Sequence, residues 1–109
     1  MANGALPMEQ VLAEVREFAA LAKADYPDAE VWLYGSYAKG YADAGSDIDV
    51  AVILPDDTYD PDSYMDIQDK IFRMGFAIQI IMEPCLFIDG RDLLGFIDRS
   101  VRGPGIRIA

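Results

Sequence analysis

The sequence contains no histidine, a single cysteine and few basic residues, and each shortage excludes a class of function. Without histidine, the chain lacks the most common general base, the usual zinc ligand and every Ser-His or Cys-His catalytic arrangement. Cys85 alone allows no internal disulfide, which fits a reducing compartment. Nine basic residues against nineteen acidic ones give a net charge of −10, so standalone nucleic-acid binding is not expected.

Neither a signal peptide nor a membrane span is expected from the sequence. Residues 1–7 contain no basic segment followed by an apolar stretch, which a signal peptide would need. The longest apolar run, residues 76–88, is too short to span a membrane and contains polar residues. We therefore expect a cytoplasmic protein with no membrane association. The 109 residues, 52% hydrophobic and 26% charged, predict a single folded domain over residues 1–109.

The charge is unevenly distributed along the chain. Residues 91–109 contain four arginines and two aspartates, a net charge of +2. Residues 1–90 contain the remaining five basic and seventeen acidic residues, a net charge of −12. A surface this acidic suits a basic protein partner.

Hydrophobic periodicity predicts helices that alternate with strands. The first predicted helix ends at Tyr26-Pro27, a short one follows Gly35, one capped by Asp62 or Ser63 ends at Gly75, and one is capped by Asp89. The predicted strands are residues 30–34, 47–54, 76–82 and 106–108. This order predicts an α/β or α+β fold, in which helices pack against a small mixed sheet.

The segment between the first two predicted strands carries groups with chemical potential. Gly35-Ser36 stands where a strand turns into a helix, so backbone N–H groups and the Ser36 hydroxyl can converge on a phosphate. Asp47 and Asp49 are two apart on a predicted strand, which puts their carboxylates on one face roughly 6–7 Å apart. Such a pair beside phosphates can hold Mg²⁺. The alternative to a functional site is that Gly35-Ser36 is an ordinary turn and the two aspartates are a solvated strand end. This alternative leaves Asp49 unexplained, because an unpaired carboxylate buried in an apolar strand is energetically unfavourable.

These residues resemble a known signature. Gly35-Ser36, ten intervening residues and then Asp47-x-Asp49 are similar to the motif of the nucleotidyltransferase superfamily related to DNA polymerase β. The short length and the terminal strand resemble the minimal nucleotidyltransferase (MNT) group. The resemblance implies a nucleotidyltransferase fold, ATP or another NTP as substrate, and one or two Mg²⁺ ions. The residues that it implies are Gly35, Ser36, Lys39 and Ser46 for the nucleotide, and Asp47 and Asp49 for the metal and catalysis.

Two positions, Lys39 and Gln79, leave an alternative open. Lys39 fits a solvated charge on a helix as well as a phosphate contact. The family's third carboxylate stands between hydrophobic residues on the next strand, and here Gln79 occupies that context between Ile78 and Ile80. An amide is a weak metal ligand and cannot accept a proton from a hydroxyl. Glu83 lies about four residues, or roughly 13 Å, further along and is expected to be a poor substitute.

The resemblance implies a nucleotidyltransferase that moves AMP from ATP, with Mg²⁺, to a hydroxyl of an acceptor. For MNT antitoxins the acceptor is a partner protein, a HEPN-type toxin. Larger family members bind the acceptor with a second domain, so here we expect the acceptor site to come from a partner or from a second copy of the chain. Two alternatives stay open: a catalytically impaired nucleotide-binding or protein-binding module, which Gln79 would mark, and a nucleotidyltransferase that acts on a small molecule.

Overall fold

The computed structural model describes residues 4–78, 82–92 and 94–109. Within these ranges helices and strands alternate along the chain. They are α1 (Met8–Asp25), β1 (Glu30–Tyr34), α2 (Ser36–Lys39), β2 (Asp49–Leu54), a 3₁₀ turn (Asp56–Thr58), α3 (Tyr64–Phe76), β3 (Glu83–Ile88), α4 (Ile97–Arg102) and β4 (Ile106–Arg107). The last helix, α4, is widened by π-type hydrogen bonding, in which the Gly103 N–H donates to the Asp98 carbonyl oxygen at 2.9 Å.

The four strands form one mixed sheet in the order β3-β2-β1-β4. β1 runs antiparallel to β2 and to β4, whereas β2 runs parallel to β3. A parallel pair needs a long crossover, and α3 supplies it between β2 and β3. This mixed sheet with helices packed against it confirms the predicted fold class.

The two faces of the sheet are covered to different extents. On one face Val50, Val52 and Leu54 of β2 pack in the larger core cluster, together with buried residues of α1 and α3. On the opposite face Ala51 and Ile53 pack against Ile97 and Val101 of α4. Because side chains alternate along a strand, Asp49 belongs to this second face. Within the described ranges no helix is long and apolar enough to cross a membrane.

Two predicted elements were placed wrongly. The strand predicted over residues 76–82 is wrong at its start, because α3 continues through Phe76, and the described third strand is Glu83–Ile88. Phe76 stacks edge-to-face on Phe72, one helical turn earlier, so the start of this apolar run belongs to the helix. Asp89 does not cap the last helix: it lies in a turn with Gly90, and α4 begins later.

The predicted helix caps are also replaced by other contacts. The Ile97 N–H at the start of α4 donates instead to the Asp92 carboxylate at 2.7 Å. α3 begins directly after Ser63, as predicted, but the Ser63 hydroxyl donates to Asp60 at 2.8 Å and makes no capping hydrogen bond. The start of α3 was therefore better predicted than the side chain that caps it.

Candidate active site

The site is built around Asp49, the first residue of β2. In the strand register Asp49 lies opposite Tyr34 of β1 on one side and beside Glu83 of β3 on the other. Tyr34, Asp49 and Glu83 line one cavity together with Cys85, the next residue of β3 on this face. This end of the second sheet face therefore gathers two carboxylates, a phenol and a thiol.

Gly35 brings the turn after β1 against Asp49. Its φ of 77° and ψ of −155° lie in a region that side-chain-bearing residues rarely adopt. A Cβ added at Gly35 would lie 2.3 Å from the Asp49 Oδ2 atom, so only glycine leaves room for this carboxylate. Ser36 then begins α2. The structure thus places the Gly35-Ser36 turn against Asp49.

The other predicted site residues lie on the surface around this centre. Asp47 is exposed in the loop before β2 rather than on the strand, because the pairing with β1 extends only as far as Asp49. The Ser46 hydroxyl donates to the Asp43 carboxylate at 3.2 Å and accepts from the Asp43 N–H at 2.8 Å, so it shapes the turn that leads to Asp47. Lys39 is exposed at the last residue of α2.

Glu83, rather than a residue of the 76–82 segment, stands at the register position beside Asp49. Gln79, the predicted third catalytic position, lies outside the described residues. The expected separation of Glu83 from Gln79 assumed a strand over residues 76–82, whereas the described third strand begins at Glu83. The sequence did contain a signal for a strand that begins near Glu83. Residues 84–88 form an apolar run, and a strand tolerates a proline such as Pro84 at its start or at a sheet edge.

The carboxylates of the site repel one another. Burial raises the pKa of Asp49, and the negative charges of Glu83 and Asp47 raise it further. Burial, with added repulsion from Cys85, Asp49 and Glu83, raises the pKa of Tyr34 to about 12. The pKa of the Cys85 thiol is also raised, by burial and by Asp49. Each shift indicates a partly buried, electronegative site that a cation would stabilise.

The donor set fits a hard divalent cation. In the described part of the chain no three acidic or thiol side chains already converge closely enough to hold a metal ion. Asp47, Asp49 and Glu83 nevertheless offer the carboxylate oxygens that Mg²⁺ prefers, and they are close enough for Glu83 and Asp47 to raise the pKa of Asp49. A bound divalent ion would relieve the repulsion among these carboxylates.

α3 holds the outer edge of β3, the strand that carries Glu83. The Gln68 side chain accepts a hydrogen bond from the Leu86 N–H at 2.9 Å and donates to the Pro84 carbonyl oxygen at 3.4 Å. The Tyr64 hydroxyl donates to the Leu86 carbonyl oxygen at 2.8 Å. These side chains satisfy backbone groups that a neighbouring strand would otherwise satisfy, which protects the sheet edge. They also help to fix β3 in register with β2.

Comparison with known proteins identifies the family. The sequence profile described as the nucleotidyltransferase domain matches residues 15–98, a range that includes every site residue named above. The chain belongs to this family. A crystal structure of a Sulfolobus solfataricus protein, provisionally described as a nucleotidyltransferase, has a TM-score of 0.63 and 18% identity, covering 92% of this chain and 80% of that one. At this identity the likeness shows the fold alone.

No curated protein matches the sequence. The profile match and the shared fold confirm the resemblance drawn from Gly35-Ser36 and Asp47-x-Asp49, and they establish a nucleotidyltransferase fold of the minimal type. Family membership supports nucleotidyl transfer as the general activity of the domain.

Proposed function

We propose that this nucleotidyltransferase domain transfers AMP from ATP, with Mg²⁺, to a hydroxyl group of a partner protein. The observation that carries the proposal is the juxtaposition of the Gly35-Ser36 turn with Asp49 and Glu83 at one end of the sheet. The net charge of −12 over residues 1–90 supports a basic acceptor. A HEPN-type toxin, which the MNT resemblance implies, is the first acceptor to test.

The phosphate-binding part of the proposal rests on the turn after β1. Gly35 has no side chain, so phosphate oxygens can approach the backbone N–H groups at the start of α2. The Ser36 hydroxyl would donate a further hydrogen bond to a phosphate oxygen. Lys39 would add positive charge one turn further on. In this proposal Ser46 acts indirectly, by holding the turn before Asp47.

The carboxylates would hold the metal and accept a proton. Bound Mg²⁺ would neutralise phosphate charge and make the acceptor hydroxyl more acidic. Asp47 and Asp49 would hold the ion. In the transfer the acceptor oxygen bonds to the α-phosphorus, the bond from that phosphorus to the bridging oxygen breaks, and pyrophosphate leaves. Glu83 would accept the proton of the hydroxyl, since it alone of these carboxylates lies on the β3 side of Asp49.

Transfer of labelled AMP to the acceptor tests the assignment of Glu83. Glu83→Gln should lower the transfer rate by about 10²–10⁴-fold, because an amide cannot take the proton. Asp66→Asn, the same kind of charge change at an exposed position on α3, should leave the rate unchanged. If Gln79→Asp greatly raised the transfer rate and Glu83→Gln did not lower it, the third catalytic position would be residue 79 rather than Glu83.

Binding of ATP tests the rest of the site separately from transfer. ATP with Mg²⁺ should raise the melting temperature of the wild-type protein, since a ligand that binds only the folded state stabilises it. The double variant Asp47→Asn/Asp49→Asn should lose this increase. An equal increase in both proteins would contradict the assigned metal ligands. Binding without transfer to any acceptor would instead favour the non-catalytic binding module.

A further inference from the structure

An exposed aromatic pair stands on α3 next to the site. Phe72 and Phe76 are one helical turn apart, with ring centroids 5.0 Å apart in an edge-to-face arrangement. They are 45% and 71% exposed, although burial of a phenylalanine side chain is worth about 1.5–3 kcal/mol. Two adjacent exposed rings form an apolar patch that a binding partner can cover.

This pair forms one wall of the cavity that ends at the carboxylates. The cavity has a volume of about 440 Å³ and is lined by Phe72, Phe76 and Met82 on its apolar side and by Asp49 and Glu83 on its acidic side. No described residue that lines it is a lysine or an arginine. Such a cavity would repel a polyphosphate and accept an apolar group that carries positive charge.

The strand order puts the phosphate-binding turn and the aromatic wall of this cavity on opposite sides of β2, although Tyr34, at the end of β1, also lines the cavity. β1 and the Gly35-Ser36 turn that follows it lie on one side of β2, whereas β3 and α3 lie on the other side. The ATP phosphates would therefore approach Asp49 from the β1 side. The α3 side is left for the second substrate, and Glu83, the proposed proton acceptor, lies there.

We propose that Phe72 and Phe76 bind the acceptor and select its sequence. The preferred segment of the acceptor protein presents an apolar side chain next to the reactive hydroxyl, with basic residues on either side. The apolar side chain packs on the two rings, and the basic residues face the acidic lining and the acidic surface of residues 1–90. Divalent ions mainly offset the charge of the ATP phosphates, so the carboxylates still favour a cationic acceptor. This inference rests on the proposed function.

A short synthetic peptide is a direct probe of the acceptor site. In the first peptide, phenylalanine and serine stand between two pairs of lysines. The second peptide is the first with alanine in place of phenylalanine. The third peptide is the first with glutamates in place of the lysines. Binding is measured by chemical-shift titration at millimolar peptide, with Mg²⁺ and a non-hydrolysable ATP analogue present. The first peptide should bind, the second should bind roughly tenfold more weakly, and the third should not bind.

Variants of α3 locate the bound peptide. Phe72→Ala and Phe76→Ala should each weaken binding of the first peptide by about tenfold and leave binding of the alanine peptide nearly unchanged, since a double-mutant cycle isolates the ring contact. Met65→Ala is the matched control, because Met65 is 70% exposed on the same helix but does not line the cavity. All three side chains are exposed, so the variants should fold, as circular dichroism would verify.

Three results would overturn the acceptor site. In the first, the first peptide does not bind to the wild-type protein. In the second, Phe72→Ala and Met65→Ala weaken peptide binding equally. In the third, the Phe72 and Phe76 variants lose binding of the ATP analogue but keep binding of the peptide. The last result would mean that the rings stack on the nucleobase. Failure of the proposed function itself gives a different result, in which the ATP analogue does not bind to wild type at all.

Discussion

Replacing Gly35 by alanine tests how the site is assembled. The backbone at Gly35, with φ 77° and ψ −155°, costs a side-chain-bearing residue about 1–3 kcal/mol. The added Cβ would also lie 2.3 Å from the Oδ2 and 3.2 Å from the Cγ of Asp49, so the carboxylate must move. This displacement adds on the order of 1 kcal/mol, the cost of a side chain pushed away from its preferred rotamer. We therefore expect Gly35→Ala to lower the free energy of unfolding by about 2–4 kcal/mol.

Gly40→Ala is the matched control for this experiment. Gly40 also has a positive φ, 90°, but nothing lies within 4 Å of an added Cβ. Its cost should be limited to the left-handed conformation, about 1–2 kcal/mol. Urea unfolding measures both losses, and the ATP-dependent increase in melting temperature shows whether Asp49 has moved. Gly40→Ala should keep this increase and Gly35→Ala should lose it; equal losses of stability with ATP binding intact would refute the contact between Gly35 and Asp49.

Three further predictions concern single side chains. Ser36→Ala should weaken ATP binding by about 1–2 kcal/mol and leave the unfolding curve nearly unchanged; global unfolding would mean that Ser36 is structural. Asp49→Asn should stabilise the metal-free protein at neutral pH. The pKa of Asp49 is raised in the folded protein, so its ionisation opposes folding and stability is lost as the pH rises through that pKa. Below about pH 4 the carboxyl is protonated, and the melting temperature of the variant should not exceed that of the wild type. Arg102→Met should lower the free energy of unfolding by about 1–3 kcal/mol, because it breaks ion pairs with Glu30 and Asp89. This loss should shrink in acid, where both carboxylates are protonated. A loss that does not change with pH would contradict the role given to these ion pairs.

The elements that the sequence predicts best have a local signature. The periodic apolar residues of α1 and the apolar run of β2 belong to single segments, and each is enough to predict its element. The third strand could not be predicted in this way, because residues 76–82 and 83–88 are both apolar. Only pairing with β2, from Asp49 beside Glu83 onward, distinguishes the two runs. Periodicity within one segment carries no information about this pairing.

The same limit applies to the site. The approach of the Gly35-Ser36 turn to Asp49 could be anticipated, because a short motif contains these residues and one turn brings Gly35 against Asp49. Glu83 reaches Asp49 only through the parallel pairing of two strands that α3 connects. One partner of Arg102 lies still further away in sequence, since Glu30 is 72 residues away. Contacts of this kind depend on the complete fold.

One face of the sheet combines a stabilising cluster with a repulsive one. At the α4 end Arg102 donates hydrogen bonds to Glu30 and Asp89. Burial raises the pKa of Glu30, but the hydrogen bonds from Arg102 and Trp32 outweigh it, so the net effect of the partners is to lower this pKa.

At the opposite end of the same face, Asp49 meets Glu83 and Asp47, and its pKa is raised. Ionisation of carboxylates therefore favours folding at one end of the face and opposes it at the other. A cation bound at Asp49 would remove the opposing effect without touching the Arg102 cluster. Occupancy of the site should thus couple to the stability of the whole sheet, because β2 lies at its centre and carries Asp49.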